Sequence, residues 1–217
     1  MVSSTTAQIG IVKRAKNPIA PPIIRYKDAR PAISAYLTDP ARNLNPLIVA
    51  EQMFQQRVAD MSESSLRRDD AAKSIEVMHA IQGLQNQLAP YSFVPAPNKQ
   101  GKLALAGVEV SVYADMLVYG SAKGEDQIGA ALLRMTQDDA STDAAIEKRR
   151  QMGLFAATMV RLHVDQNIQS AKKPANRLCM SIDVQHGEVF VAPNSNTRRV
   201  NDLTAACQMI FALWPQA

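Results

Sequence analysis

The chain has 217 residues, 47% hydrophobic and 20% charged, with 24 Lys and Arg against 20 Asp and Glu for a net charge of +4. That supplies a packed core for one full domain and too little length for two large ones. No run approaches the roughly 20 apolar residues that span a bilayer, and the N-terminus lacks the apolar segment of a secretory signal. These absences exclude a membrane-spanning helix and predict a soluble, cytoplasmic protein. The mild positive charge permits nucleic-acid binding without demanding it, because the basic residues form short clusters rather than one run.

Residues 1–27 are Ser/Thr-rich, then basic at Lys13, Arg14 and Lys16, then interrupted by Pro18, Pro21 and Pro22. Such a segment is expected to be a flexible arm without a regular element, either solvated or touching phosphates or a partner. Residues 28–95 read as a helical N-terminal part. Pro31 suits a first helical turn ahead of Ile33, Tyr36 and Leu37, and a second helix is expected over 47–61. A third begins near Asp69 and Asp70, with Ile75, Met78, Ile81, Leu84 and Leu88 at helical spacing. Pro90, Pro95 and Pro97 then close the helical region.

The period changes in residues 96–217. Leu103, Leu105, Val108, Val110 and Val112 alternate, which predicts strands leading into an apolar run over 108–119 that carries one acid, Asp115. A turn over 121–126 precedes a nearly continuous apolar strand over 128–135, the pattern of a strand buried on both faces. Asp138 to Asp143 form an acidic, cap-rich start for a helix over 143–170. Two further strands follow, with Leu178, Met180, Ile182 and Val184 alternating before a turn at Gln185, His186 and Gly187. A last helix places Val200, Leu203, Cys207, Ile210, Phe211 and Trp214 on one face, expected to be core, and ends at Pro215. The predicted class is α/β: a mixed central sheet in α-β-β-β-α-β-β-α order, continuous with the 69–95 helix.

Over residues 69–214 this order resembles the PD-(D/E)XK nuclease-like superfamily. The resemblance implies a metal site in which the second core strand delivers an aspartate and the third an acid and a lysine two residues apart. Asp115 matches the aspartate and would be the metal ligand. At the third strand the acid is replaced by Ala130 and the lysine by Leu132, with Arg134 two residues further on the same face. Arg134 stays protonated, so it suits phosphate better than proton abstraction. RecB-like members carry Q-x-x-x-Y in the following helix. Gln151 and Phe155 give Q-x-x-x-F there, directly after Lys148, Arg149 and Arg150, and these five residues are the expected nucleic-acid contacts. Glu76, with His79 three residues on, is the available acid from the preceding helix.

Each of these residues also has a plainer reading. Asp115 can bond backbone amides at a strand end, and Glu76 can be an exposed glutamate. Asp183 is expected to close its hairpin. His163 and His186 show no clustered partner acids, so zinc is not expected. Cys179 and Cys207 sit outside any CxxC pattern and are expected to be buried, reduced thiols. No P-loop, G-x-G-x-x-G or G-x-S-x-G motif is present.

Three functions follow. The first is a catalytically degenerate PD-(D/E)XK-like domain that binds DNA or RNA or serves as an interaction scaffold, with no cofactor. The second is an active Mg2+-dependent nuclease using Asp115, Glu76 and a basic residue such as Arg134 or Lys123. The third is a regulatory domain that binds a protein partner through its helical part.

Overall fold

The computed structural model describes residues 5–135 and 140–216. The arm expected to lack regular structure is helical over α1 (Thr5–Lys16). Its prolines begin only at Pro18, so nothing blocks a helix before that point, and the helix ends just ahead of the first one. Then come α2 (Ala29–Thr38), α3 (Asn45–Ala59), α4 (Ser65–Gly83) and a single turn, α5 (Gln85–Leu88). Pro31 lies in the first turn of α2, and Pro46 opens α3. The Ser64 hydroxyl accepts the Arg67 N–H and caps α4, so that helix starts a turn earlier than its two acids suggested.

The strands are β1 (Ser92–Pro95), β2 (Leu103–Leu105), β3 (Val108–Val110), β4 (Met116–Ala122) and β5 (Glu125–Arg134). After α6 (Asp143–Asn167) come β6 (Lys173–Pro174), β7 (Met180–Asp183), β8 (Glu188–Val191) and α7 (Thr197–Leu213). The main sheet runs β1-β4-β5-β7-β8, with β6 beside β5. Its first three strands form an antiparallel meander; α6 then crosses over, and β7 lies parallel to β5. The predicted α/β architecture with a mixed central sheet is therefore observed.

Two details differ from expectation. β1 was hidden among prolines, and as an edge strand it tolerates Pro95, which has no N–H to donate. The alternating residues 103–110 form a separate two-stranded hairpin, not sheet strands. Residues 108–119 are consequently not one strand, and Asp115 stands at the N-terminal end of β4 rather than inside a longer strand. The β4–β5 connection is a two-residue turn with Lys123 and Gly124 both left-handed (φ 52° and 78°). That is the twist an antiparallel hairpin favours.

Helices cover both faces. Ile33, Phe54, Met78 and Ile81 from α2–α4 pack on Met116, Val118, Leu133, Met180 and Ile182. The helical N-terminal part thus shares one core with the sheet. On the opposite face Ala157, Val160 and Val164 of α6 meet Ala114, Leu117, Ile128, Ala130, Cys179 and Ala192. Gly153 brings α6 against the Phe190 ring, where a β-carbon would collide. Both cysteines are free and buried, as expected.

The α7 stripe is not core. Only Cys207 of that helix is buried, while Phe211 is 62% and Trp214 42% exposed. Among the described residues, α7 contacts α6, β3 and α1, and Val200, Leu203 and Ile210 of the stripe are half-buried. Among the described residues, no helix is long and apolar enough to cross a membrane.

Candidate functional site

Asp115 enters the sheet by donating its N–H to the Ala131 carbonyl (2.9 Å). Its side chain is 2% exposed. Both carboxylate oxygens accept from Arg30 Nη1 of α2 at 2.7 Å, and Oδ2 also accepts the Leu133 N–H at 2.7 Å. A buried carboxylate needs such partners to be stable. The cation between its two oxygens is a guanidinium from 85 residues upstream.

Glu76 stays outside this cluster. It is half-exposed and paired with Lys73 at 3.0 Å, while His79 contacts Glu51 at 3.1 Å. Among the described residues, no group of three or more His, Cys, Asp or Glu side chains could hold a metal ion. Magnesium requires a nearly octahedral oxygen shell. One carboxylate already neutralised by Arg30 does not fit that ion.

The third-strand positions are filled by packing. Ala130 is fully buried in the α6-side core, and Leu132 packs against it. Arg134 lies on the same face, as expected, but its Nη2 meets Asp183 Oδ2 at 3.1 Å directly across the β5–β7 pair. The Arg134 and Asp183 side chains are 11% and 2% exposed. Its charge is spent inside the fold rather than offered to phosphate.

Asp183 does close its hairpin, accepting the His186 N–H at 3.3 Å. It also contacts His186 Nδ1 at 2.9 Å, which corrects the expectation that His186 has no acid partner. The three-residue spacing across the turn was the available signal. Through Asp183 the imidazole is oriented by a carboxylate that Arg134 in turn holds.

A second polar network supports the segment ahead of Asp115. Gln100 clamps the Ala114 backbone, accepting its N–H at 2.9 Å and donating to its carbonyl at 2.8 Å. His163 Nε2 donates to Gln100 Oε1 at 3.0 Å, and His163 Nδ1 accepts from Asn167 Nδ2 at 3.2 Å. These partners require the neutral imidazole, and burial pushes its pKa down. Asn167 leaves no room for a side chain at residue 101, a glycine.

The five expected nucleic-acid contacts separate in space. Lys148 and Arg150 are exposed, with Arg150 paired to Glu147 at 3.2 Å. Arg149 is buried and donates to the Ala140 carbonyl at 2.6 Å, so it braces the start of α6. Gln151 and Phe155, one turn apart, both meet Arg199 of α7. Arg199 Nη2 donates to Gln151 Oε1 at 3.3 Å, and its guanidinium lies 5.9 Å from the centre of the Phe155 ring. Nothing in the local sequence joins Arg199 to residues 48 and 44 positions earlier.

Comparison with family models, with curated proteins and with solved structures yields no match.

Proposed function

We propose that this protein is a PD-(D/E)XK-like domain without the metal chemistry of that class, and that it binds nucleic acid through the basic side of α6 and the start of α7. One observation carries the reading: in a sheet built from a strand meander, a crossover helix and a parallel fourth strand, Asp115 at the start of β4 is buried and neutralised by Arg30. Ala130 and Leu132 supply neither ligand nor proton acceptor. Lys148, Arg150 and Arg198 are exposed near one another's helices and supply positive charge for a phosphate backbone. The function is then recognition without cleavage.

Fluorescence anisotropy with labelled duplex DNA and single-stranded RNA tests this reading. Affinity is expected to fall steeply with salt, with both oligonucleotides intact after incubation with magnesium or manganese. No binding to either at low salt overturns the nucleic-acid reading. Metal-dependent cleavage that disappears in Asp115→Asn overturns the loss of catalysis.

A scaffold role is the second reading, favoured by the exposed Ile48, Val49 and Met53 on α3. A stoichiometric protein partner, with no affinity for either oligonucleotide, would decide for it.

A further inference from the structure

Arg199 differs from the other partly buried arginines near the candidate site. Arg30 and Arg134 each face a carboxylate. Arg199 has no acid partner among the described residues; it holds only the Gln151 amide oxygen and the Phe155 ring. Its Nε is buried without an acceptor. An arginine held at one Nη by a neutral acceptor, with a ring at the outer limit of cation–π range, keeps its positive charge uncompensated by any carboxylate.

Its surroundings are rich in basic residues, and Asp202, three residues on in α7, forms no ion pair with it among the described residues. Lys148 precedes Gln151 by three residues, so Lys148, Gln151 and Phe155 share the α6 face that meets Arg199. Arg198 is the exposed neighbour in the first turn of α7, where the peptide dipoles add positive potential. The nearest acid on α6, Glu147, is engaged by Arg150 and by the Gln151 amide nitrogen, which donates to it at 2.6 Å. That bond also fixes the Gln151 amide with its oxygen towards Arg199.

We propose that Arg199 and Lys148 clamp a phosphodiester group, and that Gln151 and Phe155 are positioning residues that aim Arg199 rather than contacts to the nucleic acid. This rests on the nucleic-acid reading above and assigns its phosphate contact. The Q-x-x-x-F pair then works as a splint: the amide fixes the direction of the guanidinium, and the ring backs it at 5.9 Å.

Salt titrations of binding separate the roles, using duplex DNA and single-stranded RNA of equal length. Arg199→Gln removes one neutralised phosphate. The slope of log affinity against log salt should become shallower by about 0.9 for the duplex or about 0.7 for the single strand. Lys148→Gln, at an exposed position, should give the same change and tests the clamp even if Arg199→Gln fails to fold. Gln151→Met and Phe155→Leu should weaken binding several-fold while leaving the slope unchanged, because they remove aim and not charge. Arg199→Lys should keep the slope and lose affinity.

Wild-type slopes in both Arg199→Gln and Lys148→Gln overturn the clamp while leaving nucleic-acid binding itself standing. A shallower slope in Gln151→Met overturns its positioning role. If the unaltered protein binds neither oligonucleotide, the underlying reading fails and the clamp falls with it.

Discussion

The two faces of the sheet are built on different scales. Towards α2–α4, large side chains meet large ones: Met116, Leu133 and Ile182 against Ile33, Phe54 and Met78. Towards α6 small residues, Ala114, Ala130, Ala157, Cys179 and Ala192, stand among Leu117, Ile128, Val160 and Val164, and Gly153 admits the Phe190 ring. At the edge of the first face Arg30 of α2 reaches Asp115. The second is narrow at Gly153, and polar groups pair on it: Arg134 with Asp183 between β5 and β7, and His163 of α6 with Gln100. Positions 130 and 132, which the resemblance gives to an acid and a lysine, lie in this narrow seam. Charged side chains there would have to displace packed atoms as well as find partners.

The sharpest way to break this contrast is at the edge of the first face. Arg30→Met strands a carboxylate that is almost wholly buried and should cost about 3–5 kcal/mol, read as a lower denaturant midpoint at unchanged m-value. Asp115→Asn should cost less, roughly 1–2 kcal/mol, because the amide oxygen still accepts the Leu133 N–H and Arg30, 40% exposed, can turn towards water. Equal losses would show that the pair is not asymmetrically buried.

The narrow face is tested by a methyl group. Gly153→Ala must push the Phe190 ring aside and should cost about 1–3 kcal/mol, despite the helix preference for alanine. The same substitution at Gly83, the last residue of α4, meets nothing and should be neutral or stabilising by up to about 1 kcal/mol. Thermal melts of the two variants give the comparison directly. Similar shifts would mean that α6 is not closely seated.

The smallest effect concerns pH. His163 is neutral in the fold and its pKa is lowered by burial, so the unfolded chain binds the proton more readily. Its contribution is fully present above the unfolded value, near 6.5, and is lost as pH falls below it towards the folded pKa. Urea midpoints of the unaltered protein and His163→Gln should converge as pH drops from 7.5 to 5. A difference that stays constant with pH would show that His163 does not titrate in this window.

Much of this contrast was legible in the residues. The runs that form β4, β5, β7 and β8 are rich in apolar and β-branched residues, and the turn residues between them are glycine-marked. The helix cap at Thr142 and the stripe along α6 were equally plain, because both depend on near neighbours. Arg30 with Asp115 and Arg199 with Gln151 were not legible. Each joins side chains 85 or 48 positions apart, where spacing carries no information and only the packed layers make the meeting. The alternation of residues 103–110 foretold extended backbone but not its partner, since period two is the same in a sheet and in a detached hairpin. The α7 stripe misled for a related reason: an apolar face states a preference for cover without supplying it.

Trp214 is the chain's single tryptophan, and it lies on neither face of the sheet. Its carbonyl accepts from Lys16 Nζ at 3.1 Å, where the end of α1 reaches the end of α7. Its indole is partly in water already. Intrinsic fluorescence is therefore an optical gauge of the outer end of α7. A melt followed at tryptophan reads the surroundings of that end, beside Gly107, Val108 and Phe211, whereas circular dichroism reads the loss of the layers beneath.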